Sequence, residues 1–249
     1  MPVTLIQQLP TFDKKVEGEN KLAISEMFVD TIQGEGVNAG VPATFIRLQG
    51  CTLDCVWCDT TEVWRRGNEY SFAEILALLD PHACKYENNK QHIILTGGSP
   101  LKQQYQLVRF IKEFTFRYGF KPFIEVENEA VLMPYAHFWP LVDVWNNSPK
   151  LSNSGMKHRA RIKPDVLKFM TNLSNTWFKF VVNCEEDWQE IVMDFFPYIS
   201  KHQIILMPEG QTQDELAKVR EVVVDMAIKY QVRYMDRLHV IIWNRKTGV

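Results

Sequence analysis

Three cysteines, Cys51, Cys55 and Cys58, stand in the spacing C-x3-C-x2-C. In a reducing compartment, clustered thiols point to metal or redox chemistry rather than to a disulfide framework, and an odd number resists simple pairing. Structural zinc takes four ligands in a closed tetrahedron. Three thiolates would then need a distant fourth ligand, for which His82 and Cys84 are candidates. A cubane iron–sulfur cluster usually takes four cysteines as well. Held by only three, it leaves one iron open to a small molecule. The spacing favours a cluster over zinc and leaves a chance grouping of thiols as a third reading. Cys84 and Cys184 stand apart and read as small buried hydrophobes.

Other chemistry-bearing residues recur after apolar runs. Thr96-Gly97-Gly98 follows one such run, and glycine lets backbone approach a ligand closely. Glu125, Glu127 and Glu129 alternate with other residues, which reads as an active-site strand or a solvated edge strand. Met207-Pro208-Glu209-Gly210 reads as a ligand loop or an ordinary strand-to-helix turn. Lys157, His158, Arg159, Arg161 and Lys163 form a basic stretch that reads as a solvated or mobile loop.

The elements that must position these groups are legible from periodicity. Ala43–Leu48 reads as a strand leading into the cysteine loop. Further strands are expected at 92–96, 123–126, 142–145, 177–182, 203–207 and 238–243. Ser71 and Glu74 form a capping box opening a helix to about Leu79. Leu107, Ile111, Phe114 and Tyr118 share one helix face, with Gly119 as its stop. Thr212 and Glu215 make a second capping box, before a long amphipathic helix marked by Leu216, Val219, Val223, Met226 and Tyr230. Strands alternating with helices imply right-handed crossovers and a mainly parallel sheet. The strand count falls short of an eightfold barrel. The expected fold is therefore α/β, a partial (β/α)6-type TIM-like barrel, in a single domain over 1–249 with residues 1–20 as an N-terminal extension. In such barrels function collects at the C-terminal ends of the strands, where the cysteine loop lies.

Composition excludes several classes. The chain has 249 residues, 46% apolar and 23% charged, so a disordered chain or a fibre does not fit. Its net charge of -2 lacks the basic excess of a non-specific nucleic-acid binder. No apolar run reaches membrane-spanning length, and the start MPVTLIQQLPTFDKK has no secretory pattern, so the expected compartment is the cytoplasm.

The cysteine spacing resembles that of the radical S-adenosylmethionine (SAM) superfamily, with Trp57 as the aromatic before the last cysteine. The longer strings are more specific. Ile32-Gln-Gly-Glu-Gly36, Gly40-Val-Pro-Ala-Thr-Phe-Ile-Arg-Leu48 and Gly50-Cys-Thr-Leu-Asp-Cys-Val-Trp-Cys-Asp-Thr60 together resemble the 7-carboxy-7-deazaguanine synthase family. Thr96-Gly-Gly98, Ser148-Pro-Lys150 and the tail Leu238–Val249 extend the resemblance along most of the chain.

The resemblance implies a radical SAM lyase of queuosine and 7-deazapurine biosynthesis. Such an enzyme converts 6-carboxy-5,6,7,8-tetrahydropterin to 7-carboxy-7-deazaguanine and ammonia. Cys51, Cys55 and Cys58 would hold a [4Fe–4S] cluster whose open iron chelates SAM, and Thr60 would be a Mg²⁺ ligand. SAM would meet Trp57, Asp59, Gly98, Ser148, Pro149, Lys150, Met207, Pro208, Glu209 and Gly210. The pterin would meet Ile32, Gln33, Gly34, Arg47 and Thr96. Arg47 suits the substrate carboxylate because a guanidinium offers a planar pair of donors; a structural Arg with a local carboxylate partner is the plainer reading. Ser99 stands where the superfamily's Gly-Gly-Glu-Pro pattern has a Glu. An electron donor such as a flavodoxin or ferredoxin, and a homodimer, are also implied. Two other readings use the same cysteines: a glycyl-radical activase, which needs a broad protein-docking surface, and a non-catalytic zinc- or cluster-binding module.

Overall fold

The computed structural model describes residues 2–6, 20–58, 64–246 and 248. Its centre is a 10-stranded sheet in the order β1-β2-β3-β5-β6-β7-β8-β9-β10, with β4 beside β2. The first strands are β1 (Val3–Ile6), β2 (Lys21–Ile32), β3 (Pro42–Leu48), β4 (Asn68–Ser71) and β5 (His92–Gly97). They continue as β6 (Ile124–Asn128), β7 (Val144–Asn147), β8 (Thr176–Val182), β9 (Ile204–Pro208) and β10 (Arg233–Tyr234). β1, β2 and β4 pair antiparallel, as does β2 with β3. From β3 through β5 to β10 every pairing is parallel and follows chain order. The helices are α1 (Phe72–Leu79), α2 (Gln104–Tyr118), α3 (His158–Arg161), α4 (Pro164–Thr171), α5 (Glu185–Asp194), α6 (Gln213–Tyr230) and α7 (Leu238–Trp243).

Strands in sequential parallel order with an unclosed path make the expected open, partial barrel. Alternation along each strand builds two unlike faces. On one face Ile46, Leu95, Val126, Trp145, Phe180 and Leu206 are buried in a core with Phe110 and Phe114 of α2, Leu167 of α4, Ile191 of α5 and Val223 of α6. The residues between them turn to the inner face: Arg47, Thr96, Glu125, Glu127, Asn146 and Lys179. The inner face mixes these polar groups with two small apolar clusters, Phe28, Ala43, Phe45 and Ile94 on one side and Ile205, Met207 and Met235 on the other, so one face makes the main core and the other makes a site.

Local signals act as their chemistry requires. At α1, Glu74 N donates to Ser71 Oγ and Ser71 N donates to Glu74 Oε2. α2 ends at Gly119 with φ 80, a left-handed conformation that glycine adopts without a Cβ clash. At α6, Thr212 Oγ1 accepts from Glu215 N, but the Glu215 carboxylate accepts from Gln211 N, so the reciprocal half of the expected box is displaced by one residue.

Several expectations are corrected. Leu238–Trp243 is a helix, not a strand: the place beside β9 is taken by Arg233–Tyr234, and a short apolar run carries no period that separates helix from strand. Within the expected extension 1–20, Val3–Ile6 is a strand paired with β2. The β6-to-β7 connection carries the 3-10 turn Trp139–Leu141. The basic stretch is not simply solvated: it contains α3, and Arg161 is buried, its guanidinium paired with Glu190 at 2.8 Å and Asp194 at 3.3 Å. Cys84 is exposed and Cys184 half-buried, so neither is a core residue. No helix among the described residues is long and apolar enough to cross a membrane.

Candidate active site

The C-terminal ends of the parallel strands converge on a cavity of about 510 Å³. The register of β3 with β5 sets Arg47 opposite Thr96 and Leu48 opposite Gly97, so the loops after these strands emerge side by side. Cys51, Cys55 and Cys58 lie in the loop after β3, and Gly98 lies in the loop after β5. A Cβ on Gly98 would come within 2.6 Å of Cys51 Cβ and 2.4 Å of Gly50 O, so only glycine lets the two loops touch. Ser99 N donates to Gly50 O at 2.8 Å and locks that contact.

All three cysteines are free thiols and all three line the cavity. Burial pushes the Cys51 thiol up to about 11, against the opposing pull of a backbone N–H and of the Lys150 charge. Burial raises the Cys55 thiol too. Among the described residues no three His, Cys, Asp or Glu side chains are grouped closely enough for one metal ion. A cluster asks for something different, since each thiolate binds its own iron, and the donors are the soft thiolates it prefers. His82 faces Asp30 at 3.9 Å, and neither it nor Cys84 lines the cavity. The donor set therefore fits a cluster better than a tetrahedral zinc.

Trp57 and Lys150 pack together beside the cysteines, with the ammonium 5.2 Å from the indole centroid. Lys150 Nζ also donates to Ser148 Oγ at 2.9 Å. Trp57 Nε1 donates to Asn153 Oδ1, and Gln211 Nε2 donates to Trp57 O, each at 3.3 Å. Glu209 accepts from Asn183 Nδ2 at 3.1 Å, and burial raises its carboxyl.

The far wall is a buried charge network. Glu35, in the turn after β2, accepts from Lys179 Nζ and from Arg237 Nε, the latter at 2.9 Å. Burial pushes its carboxyl up, but the charges of Lys179, Arg237 and His239 outweigh that and hold it well below the usual carboxylate range. Burial opposes the Lys179 charge as well, yet Glu35 and Glu127 raise it. Glu127 goes the other way: burial, aided by Glu35, raises its carboxyl against the pull of Lys179. Thr96 Oγ1 donates to Glu127 Oε2 at 2.9 Å. Arg47 Nε donates to Glu26 Oε1 at 2.7 Å, the local carboxylate partner that the plainer reading asked for, while Arg47 itself lines the cavity. Gln33 is buried; its Oε1 accepts from Glu35 N, and its Nε2 has no partner among the described residues. Gly34 fits directly against His239, since a Cβ there would lie 2.3 Å from Nδ1.

Of the residues named from the sequence, Ile32, Gln33, Gly34, Arg47, Cys51, Cys55, Trp57, Cys58, Thr96, Gly98, Ser148, Lys150, Met207, Glu209 and Gly210 line this one cavity. Pro149 and Pro208 do not; both are buried behind it. Asp59 and Thr60 lie outside the described residues. Of the acidic trio, Glu127 lines the cavity from a central strand, not an edge, and Glu129 lines it from just past that strand's end. Glu125 is buried deeper, against His92 at 2.6 Å, Asn38 at 3.0 Å and Asn146 at 2.9 Å. Sequence reasoning missed Lys179, Arg237 and His239. The available signal for Lys179 was a lone charge inside the apolar strand WFKFVV.

Three comparisons bear on this geometry. A family model described as a 4Fe-4S single cluster domain matches residues 32–126. A 7-carboxy-7-deazaguanine synthase of Pyrobaculum aerophilum is 32% identical over 231 residues, which cover 92% of this chain and 97% of that protein. The 7-carboxy-7-deazaguanine synthase of Halobacterium salinarum is 31% identical over 247 residues, covering 90% and 91% of the two chains. The crystal structure of QueE from Escherichia coli superposes with a TM-score of 0.66 at 23% identity, over 88% of this chain and 95% of that one, a likeness in fold.

Proposed function

The chain belongs to the 7-carboxy-7-deazaguanine synthase family, and from that premise we propose that it contracts the ring of 6-carboxy-5,6,7,8-tetrahydropterin to give 7-carboxy-7-deazaguanine and ammonia. The observation that carries this reading is one cavity with two unlike poles, a three-thiol loop and a buried network of carboxylates and cations. Cys51, Cys55 and Cys58 would hold a [4Fe–4S] cluster. When bound, such a cluster would supply one-electron reducing chemistry to SAM.

The chain's own residues then have separate tasks. Trp57, Gly98, Ser148, Lys150, Met207, Glu209 and Gly210 flank the thiols and would cradle SAM, with Gly98 giving backbone access. Arg47, oriented by Glu26, would take the pterin carboxylate. Gln33 Nε2, buried and unpartnered, would donate to a ring carbonyl or ring nitrogen. Glu127, held by Thr96, and the ionised Glu35 would accept from the N–H groups of the pterin's amino-pyrimidine edge. Lys179 and Arg237 keep Glu35 ionised, so it stays an acceptor. The buried wall would hold the ligands in one orientation, and the bound ligands would themselves displace water from the cavity. A chamber of about 510 Å³ suits two small molecules better than the protein segment a glycyl-radical activase must admit.

Within the same reading, Thr60 serves as the Mg²⁺ ligand with Asp59 beside it, the chain acts as one catalytic unit, and the enzyme works in the cytoplasm as a homodimer. A flavodoxin- or ferredoxin-type protein delivers the electron. The test is an anaerobic assay of reconstituted protein with SAM, Mg²⁺, a chemical reductant and the carboxypterin. Product with the mass of 7-carboxy-7-deazaguanine is expected; reduced, cluster-loaded protein that yields none would overturn the proposal.

A further inference from the structure

Glu129 lies just beyond the end of β6 and lines the cavity beside the cysteine loop. It is 4% exposed. Its Oε1 accepts twice, from Thr52 Oγ1 at 2.5 Å and from Ser99 Oγ at 2.8 Å. Its Oε2 is buried and has no hydrogen-bond partner among the described residues. No ion pair offsets its charge among them either. Both anchoring hydroxyls belong to the two loops that meet at Gly98, since Thr52 follows Cys51 and Ser99 follows Gly98.

A buried carboxylate oxygen with no donor is costly, and the cost is recovered only when something that binds there brings N–H groups. The two hydroxyls occupy Oε1 and restrict the carboxylate's rotation, which leaves Oε2 as a buried acceptor without a donor on a residue that lines the cavity. The pterin's anionic carboxylate is no partner for it, and the amino-pyrimidine edge already has Glu35 and Glu127 on the far wall. SAM carries a donor of the right kind at the end that must lie nearest the thiols, because its α-amino group chelates the cluster's open iron. We propose that Glu129 is the acceptor for the α-amino group of SAM, with Ser99 and Thr52 as its positioning residues. The inference rests on the reading of the site given above and adds a residue which selects the amino-acid end of SAM.

The test is equilibrium dialysis of anaerobically reconstituted holoprotein against radiolabelled SAM and against its deamino analogue, with iron counted in every sample. Glu129→Gln keeps the shape and removes the charge. It is expected to weaken SAM binding by about ten-fold or more, the scale of a lost hydrogen bond to a charged group. The deamino analogue should bind wild type and Glu129→Gln alike, with iron content unchanged. Ser99→Ala, which only loosens the carboxylate, should weaken SAM binding by a smaller factor in the same selective way. Equal SAM affinity in wild type and Glu129→Gln, or equal losses for both ligands, would overturn the inference alone. A cluster-loaded wild type that fails to bind SAM would overturn the functional reading and this inference with it.

Discussion

Lys179 on β8 and Glu35 in the turn after β2 form an ion pair across 144 residues of chain, with side-chain exposures of 5% and 14%. Removing one partner of a buried pair strands the other, at a typical cost of about 3–5 kcal/mol. Because Arg237 still pairs with Glu35 at 2.9 Å, Lys179→Met should lower unfolding free energy by less than that, about 1–3 kcal/mol, in denaturant titrations at neutral pH. A change below about 1 kcal/mol would show that Arg237 alone suffices for Glu35.

The same pair sets a pH window. Glu35 is held below its ordinary value when folded, so its stabilisation is present above the usual carboxylate range and is lost as pH falls toward the depressed value. Lys179 is raised when folded, so its share is present below the ordinary lysine range and is lost as pH rises past its folded value. Stability measured against pH should form a plateau between these limits, and Glu35→Gln should remove the acid shoulder. An unchanged acid limb in that variant would assign the shoulder to other carboxylates.

Cys55→Ala should abolish cluster assembly. The variant is expected to be colourless after anaerobic reconstitution, with far less iron than wild type. A wild-type iron count would remove Cys55 from the ligand set.

Arg47→Ala should raise the KM for the pterin by about ten-fold or more while cluster absorbance and SAM affinity stay constant, because a carboxylate loses a charged donor pair. Unchanged KM would remove Arg47 from the substrate site and leave it a structural residue, paired with Glu26 at 2.7 Å.

Ala130 adopts φ 57, a left-handed conformation that costs a non-glycine residue about 1–2 kcal/mol. The buried methyl returns about 0.8 kcal/mol by transfer. Ala130→Gly should therefore be neutral or stabilising by up to about 1 kcal/mol, whereas Ala130→Val should destabilise. A clear loss of thermal stability in Ala130→Gly would show that packing outweighs backbone strain here.

How far the site was legible depends on whether its parts are neighbours in sequence. The cysteine loop, Gly98 and the strands that carry them were readable because type, spacing and flanking apolar runs sit within a few residues. The caps at Ser71 and Gly119 were readable for the same reason. Glu35, Lys179 and Arg237 were not, because Arg237 reaches Glu35 across 202 residues and only the sheet order brings them together. Alternation alone did not decide whether Glu125, Glu127 and Glu129 faced water or a chamber. Ser99 was noticed as a departure from a pattern, yet its hydrogen bond to Glu129 depends on two loops 30 residues apart.

β10 holds only two residues against β9, and Arg237 and His239 follow directly behind it in the wall. So short an outer rung comes loose far more readily than an interior strand. Each such fraying event would draw a guanidinium and an imidazole away from Glu35, so the charge balance of the far wall is hinged on the least secured rung of the sheet.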